Sequence, residues 1–202
     1  MSSISSKPQL VLDIGGVLLT NFSPRFWQQA AAQAELAPEA LQLRYKQEVR
    51  DKLWPGSMPE ADFWRWLGEQ APAMGEALAR RLLQDNLKPL PALDLLAGWS
   101  QVADIHLLSN HLSAWVAPGL ASVQAYLRSI TLSSQVGCCK PHPGIFEAAA
   151  AQLQGNGNGV ILFVDDQEKN LQQAARLGWD TLLADPQGEW TDQVISRLEG
   201  SS

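Results

Sequence analysis

Short apolar runs that stop abruptly on polar residues recur along this chain. Gln9-Leu10-Val11-Leu12-Asp13 is the first, ending on an acid and then meeting Gly15-Gly16. A run of that length closed by a turn signal reads as a buried strand. The pattern repeats at residues 105–108 before Ser109 and at residues 160–164 before Asp165-Asp166. Residues 181–184, after the turn at Gly178, form a fourth run, and residues 130–132 a weaker fifth. Helical periodicity fills two of the intervals. Residues 167–177 place Leu171, Ala174 and Ala175 on one face and stop at Gly178, a residue type that ends helices. Residues 143–153 place Ile145, Phe146, Ala149, Ala150 and Leu153 on one face, with Pro143 near the start. Strands alternating with amphipathic helices predict the α/β class, a Rossmann-like parallel sheet covered on both faces in three α/β/α layers. Ligands of such sheets bind at the carboxyl ends of the strands, where the polar residues just named fall.

Residues 23–85 show no strand pattern. Ser23-Pro24 predicts a helix start with a cap residue and then proline at the first helical position. Ala37-Pro38 predicts a second start. Ser57-Met58-Pro59-Glu60 has capping-box spacing and predicts a third helix through Phe63, Trp64 and Leu67. Residues 72–83 supply a fourth. Leu87-Lys88-Pro89-Leu90-Pro91 marks the return, so the expected division is a core of residues 1–20 and 87–202 with a helical lobe at 21–86.

Composition narrows the function classes. A chain of 202 residues has room for one core domain and a modest lobe. Its formal net charge of -6 lacks the basic field of a nucleic-acid binder. No apolar run is long enough to span a bilayer, so no membrane partner is expected. Met1 to Lys7 is polar and serine-rich with no hydrophobic signal core, so the expected compartment is the cytoplasm. Cys138 and Cys139 are adjacent, a poor arrangement for a structural disulfide, and no zinc spacing exists. The composition leaves the oligomeric state open.

The strand ends and nearby loops supply Asp13, Ser109, Lys140 and the pair Asp165-Asp166. If they converge, phosphoryl transfer fits, because it rests on positioning and on neutralising phosphate oxygens. A carboxylate can serve as nucleophile, magnesium suits carboxylates together with phosphate oxygens, and lysine supplies a point charge. Two adjacent acids after five apolar residues would repel without a cation beside them. His106, inside an apolar strand, reads as a packed residue and His142 as structural. His111, just past Ser109-Asn110, is a candidate to line the site. Phe22, Trp54 and Trp64 could shape a pocket, although packing of the small lobe is the more ordinary role for each.

In order and local context these segments resemble the four motifs of the haloacid dehalogenase-like (HAD) superfamily. Leu10-Val-Leu-Asp13-Ile-Gly15-Gly16-Val17-Leu18 is similar to the first, Leu107-Leu-Ser109-Asn110 to the second. Residues Val136 to Phe146 around Lys140-Pro141 are similar to the third, and Phe163-Val-Asp165-Asp166 running to Gly178 to the fourth. The resemblance spans residues 9 to about 184 and places the helical lobe where the family carries a C1-type cap. It implies Asp13 as covalent nucleophile and magnesium ligand, and Lys140 as the charge-neutralising catalytic residue. It implies Ser109, Asn110 and Lys140 as substrate-binding residues. The Mg²⁺ would be held by Asp13, the Gly15 carbonyl and Asp166, with Asp165 in support through water or from behind, and Asn170 would tie down the acidic loop. The implied substrate is a small phosphorylated metabolite, a sugar phosphate among the candidates.

One position departs from many family phosphatases, which carry a second aspartate two residues after the nucleophile as general acid and base. Here that position is Gly15. General acid–base help is typically worth roughly 10²–10⁴-fold, so a water, His111 or the substrate's own oxygen must handle the proton, or turnover is slow. Bacterial glucose-1-phosphate phosphatases, with a similar small cap, also begin aspartate-x-glycine. Two alternatives stay open: a 2-haloacid dehalogenase-type hydrolase, against which the acidic pair argues, and a catalytically relaxed member that binds a phosphorylated ligand or a protein.

Overall fold

The computed structural model of the chain describes residues 7–153 and 159–200. Residues 1–6 of the polar amino-terminal segment lie outside the described residues.

Five parallel strands form one sheet in the order β3-β2-β1-β4-β5: β1 Gln9–Leu12, β2 Asp104–Ser109, β3 Leu127–Leu132, β4 Ile161–Asp165 and β5 Asp180–Leu183. All five predicted strands are present, and the α/β expectation holds. Between β1 and β2 the chain forms α1 Arg25–Ala34, α2 Pro38–Glu48, α3 Arg50–Leu53, α4 Glu60–Gln70, α5 Glu76–Asn86 and α6 Ala92–Val102. After β2 come α7 Ser113–Leu120, α8 Ser133–Val136, α9 Pro143–Ala150, α10 Glu168–Arg176 and α11 Val194–Leu198.

Alternation along the strands separates the two faces. Leu10 and Leu12 of β1, with Ile105, Leu107, Leu162 and Val164, pack against Leu93, Leu96 and Trp99 of α6 and against Trp190 and Val194. Val11, Leu108 and Phe163 point the other way, onto Ile145, Phe146, Leu171, Ala174 and Trp179. Side chains one residue apart on a strand face opposite sides, so a sheet covered on both faces needs unbroken apolar runs. Helices α6 and α7 are not among the predicted elements. Their segments are short and apolar on most sides, and periodicity does not distinguish such runs from strands.

Residues 25–86 form five helices joined by turns, with no strand among them. Their apolar residues, including Phe26, Trp27, Leu41, Tyr45, Phe63 and Leu83, form a cluster of their own that also takes in Leu112 and Trp115 of the sheet-bearing part. Two predicted caps are corrected. Ser23 does not cap α1, since Pro24 occupies the cap position, and the Ser23 hydroxyl accepts from the Gln42 side chain at 3.2 Å. The capping box at Ser57–Glu60 does not form either: α4 starts only at Glu60, after Pro59. Ser57 Oγ donates instead to the Lys52 carbonyl at 3.0 Å. The Glu60 carboxylate is drawn to three stronger donors, the indoles of Trp64 (2.7 Å) and Trp115 (3.1 Å) and the guanidinium of Arg80 (2.6 Å). Pro38 at the start of α2 and Gly178 beyond α10, at φ 79°, agree with prediction. Among the described residues no helix is long and apolar enough to cross a membrane.

Candidate active site

The sheet register dictates which side chains meet. Leu12 lies between Leu107 of β2 and Val164 of β4, so the next residues outward, Asp13 and Asp165, emerge side by side at the carboxyl edge. The Asp13 N–H donates to the Val164 carbonyl at 2.9 Å, extending the ladder to the acid itself. Ser109 ends β2 on the same edge. Lys140 arrives from the loop between α8 and α9, and Asn110 holds it there. The Lys140 N–H donates to Asn110 Oδ1 at 2.7 Å, and Asn110 Nδ2 donates to the Lys140 carbonyl at 3.1 Å. The Asn110 carboxamide is therefore engaged in placing Lys140.

Lys140 is buried and lies between two carboxylates, with Nζ 2.5 Å from Asp165 Oδ2 and 3.0 Å from Asp13 Oδ1. Burial pulls its pKa down, but Asp13 and Asp165 together outweigh that and hold the ammonium above its ordinary value. Both Asp165 oxygens are engaged. Beyond Lys140 it accepts from the Gln167 N–H at 2.8 Å and from Asn170 Nδ2 at 2.9 Å, both through Oδ1. Asn170 thus ties down the acidic loop as expected. Asp13 Oδ1 also accepts the Ile14 N–H at 2.7 Å. Its Oδ2 takes no hydrogen bond among the described residues.

Asp166 contrasts with its neighbour. Its Oδ1 is buried without a hydrogen-bond partner, and Oδ2 has only the Asn21 amide at 3.5 Å. Burial and then the adjacent Asp165 charge raise its pKa. The glycine turn after Asp13 makes this packing feasible: Gly16 sits at φ 76°, and a Cβ there would run into the Asp166 carboxylate. Oxygens of Asp13, Asp165 and Asp166 lie within 4.8 Å of one another. Three carboxylates with one ammonium, and one buried oxygen lacking any donor, form a donor set suited to a hard divalent cation. The Gly15 carbonyl, on the same turn, accepts no backbone hydrogen bond among the described residues.

A cavity of about 590 Å³ opens over this floor. Asp13, Gly15, Ser109, Asn110, His111 and Lys140 line it from the sheet, and Arg50, Asp51, Trp54 and Pro55 from the helical segment. A cavity of that volume falls within the range of small-molecule sites. Trp64 packs in the cluster as expected, whereas Phe22 and Trp54 both pack against it and line the cavity. His106 and His142 are structural as read. His106 bridges Ser129 Oγ (2.7 Å) and Gln9 Oε1 (2.9 Å), and His142 caps α9 by accepting the Gly144 N–H at 3.1 Å. Cys139 reaches the cavity, but burial pushes its thiol pKa up, which keeps it unreactive.

Reasoning from the sequence does not find Asn21, Arg50 or Asp51. Arg50 and Asp51 lie at the cavity because the helical segment folds over it, and Asn21, ahead of α1, because its loop returns to the glycine turn. Asn21 occupies space that Gly15 leaves open, its Oδ1 lying 2.7 Å from where a Gly15 Cβ would stand.

Among curated proteins no sequence matches this chain. Solved structures do match, at identities that carry the fold alone. HAD family enzyme bt-2542 from Bacteroides thetaiotaomicron is 22% identical at TM-score 0.80, covering 94% of this chain and 99% of its own. The wild-type bt-2542 protein, in complex with magnesium and inorganic phosphate, is also 22% identical, at TM-score 0.76 over 93% and 98% of the two chains. The L-2-haloacid dehalogenase PA0810 is 19% identical at TM-score 0.63 over 91% and 88%. The family model of the haloacid dehalogenase-like hydrolases matches residues 9–178, a span holding every residue of the site, and the chain belongs to that family.

Proposed function

We propose that this hydrolase is a magnesium-dependent phosphatase of small phosphomonoesters, with Asp13 as nucleophile and an aspartyl-phosphate as intermediate. The observation that carries the reading is the division of labour between the adjacent acids. Asp165 has both oxygens bonded, to Lys140, Gln167 and Asn170, whereas Asp166 keeps a buried oxygen with no donor among the described residues. Such an oxygen is stabilised by a cation, and a dehalogenation site has no call for one. Asp13, Asp166 and the Gly15 carbonyl would hold Mg²⁺, and Asp165 would support the site through Lys140. When bound, the ion supplies positive charge to the phosphate oxygens. That a structural neighbour binds magnesium and phosphate together agrees with this reading.

Asp13 uses Oδ1 for Ile14 and Lys140, which leaves Oδ2 to attack phosphorus. As the Oδ2–P bond forms, the bond from phosphorus to the alcohol oxygen breaks, and the leaving oxygen takes a proton from water. Lys140 and the Ser109 hydroxyl steady the phosphoryl oxygens. A water then attacks phosphorus, releasing phosphate and restoring the Asp13 carboxylate. Helices α1–α5, within residues 21–86, act as a cap whose α3 end and following turn cover the bound ester and exclude bulk water.

The test is direct. With Mg²⁺ the purified protein should release phosphate from p-nitrophenyl phosphate, chelation should stop it, and Asp13→Asn should abolish it. Equal turnover by the mutant would sink the assignment. Metal-independent chloride release from 2-chloropropionate would favour a dehalogenase. Thermal stabilisation by phosphate esters without turnover would favour a binding protein.

A further inference from the structure

His111 follows Ser109-Asn110 directly and is held from both sides. Its carbonyl accepts the Ser134 hydroxyl at 2.8 Å, and its ring lies among aromatic planes, 5.2 Å from Trp54, 6.1 Å from Trp115 and 6.5 Å from Phe22 between centroids. Only 6% of the residue is exposed, and it lines the cavity. Nδ1 is sealed and has no hydrogen-bond partner among the described residues. Burial, then the positive charge of Lys140, push its pKa down to about 4, so the ring is neutral at ordinary pH. A neutral imidazole carries one proton. An orphaned buried N–H is rarer than an orphaned acceptor, which places that proton on Nε2, the nitrogen able to meet the cavity.

We infer that His111 is a specificity residue, a fixed neutral donor that gives its Nε2–H to an oxygen of the alcohol released from the phosphate ester. The inference rests on the phosphatase reading above and deepens it. A ring this hard to protonate is a poor proton carrier at neutral pH, so it does not replace the acid missing at Gly15. It acts by recognition. The surroundings indicate what it recognises. Trp54 and Phe22 offer apolar ring surface, and the charges at the rim, Arg50 and Asp51, pair with each other at 2.8 Å. An uncharged leaving group with a carbon face and at least one oxygen acceptor, such as a polyol or sugar, suits this wall. A site built to hydrogen-bond a substrate oxygen rejects analogues lacking it far more strongly than an apolar wall does.

The experiment compares kcat/KM for the best substrate in a panel of polyol and hexose phosphates with that for p-nitrophenyl phosphate. The wild type should favour the hydroxylated ester. In His111→Phe, which keeps a ring in the aromatic nest but removes the donor, the ratio should fall tenfold or more. His111→Gln, with a side-chain N–H, should recover part of it. A wild type without the preference, or a ratio unmoved in both variants, would overturn the inference while leaving the phosphatase reading standing. Equal losses on both substrates, unrescued by glutamine, would overturn it too, as the signature of packing alone. Failure to cleave any phosphate ester would instead remove the phosphatase reading and this inference with it. Should the phenylalanine variant not fold, ring ¹⁵N spectra of the wild type at pH 6 decide the matter. A neutral Nε2–H tautomer perturbed by the hydroxylated ester supports the role, and an Nδ1–H tautomer overturns it.

Discussion

On the floor of the cavity Lys140 sits buried between Asp165 at 2.5 Å and Asp13 at 3.0 Å, while on the roof Arg50 and Asp51 pair at 2.8 Å in open solvent. Both are ion pairs of similar length, yet they have different physical consequences. The floor pairs are nearly sealed from solvent, so each charge there depends on its partner far more than an exposed one does. The roof pair is hydrated and screened, and such pairs contribute little. Under the proposed phosphatase reading, the residues that would handle the phosphoryl group are thus built into the sheet's carboxyl edge. Those that would meet the variable part of a substrate stand on a helical segment whose own fold depends on a separate aromatic cluster.

The comparison is tested most severely at Lys140. Lys140→Met keeps the length of the side chain and removes its charge, leaving Asp13 and Asp165 buried and facing each other. Breaking a buried pair from one side typically costs roughly 3–5 kcal/mol. Urea unfolding should show a loss of that order, and turnover should fall below detection. A variant with wild-type stability would mean that the two carboxylates do not depend on the ammonium, and the contrast between floor and roof would collapse.

How much of this could be read from the sequence follows the same division. The strand ends are legible because an apolar run that stops on an acid has few other interpretations, and Asp13, Ser109 and Asp165 emerge where the runs predict. Lys140 is legible only through its motif, since no periodicity marks it. Its placement depends on Asn110, thirty positions earlier in sequence. The roof is illegible for a physical reason. Arg50 and Asp51 become cavity residues through the packing of helices whose periodic faces record only what is buried within the segment. The same limit explains the failed capping box at Ser57: the spacing was right, but Glu60 had tertiary partners in Arg80 and Trp115 that no local pattern contains.

His111 touches both regions, and its effect on stability is of intermediate size. Its folded pKa of about 4 lies below the ordinary unfolded value near 6.5. As pH falls through that window the unfolded chain takes up a proton that the native ring refuses. The stabilisation is therefore whole above about pH 6.5, declines as pH drops, and is gone below about pH 4. A depression of that size corresponds to something on the order of 3 kcal/mol. Urea midpoints of wild type and His111→Phe, measured between pH 7 and pH 4, should diverge, with the wild type losing more. Parallel curves would show that the imidazole is hydrated and does not face a sealed aromatic wall.

The smallest effect is expected at Arg50, and it sharpens the comparison most finely. Arg50 stands at the start of α3, bonded to Asp51 on its own helix and to no group of the floor. An exposed partner next in sequence gives little reason for the fold to need it, so Arg50→Gln should melt with the wild type. Its position at the cavity rim still matters to an anion approaching the floor, because a guanidinium there adds to the field that gathers phosphate esters. KM should rise several-fold at low salt and converge with the wild type as ionic strength shortens the Debye length to below roughly 10 Å. The kcat should follow the wild type at every salt concentration, since the proposed mechanism keeps the reacting atoms among Asp13, Ser109 and Lys140. A salt-independent drop in kcat would place Arg50 against the phosphoryl group itself, and the roof would then have to be counted as part of the chemistry.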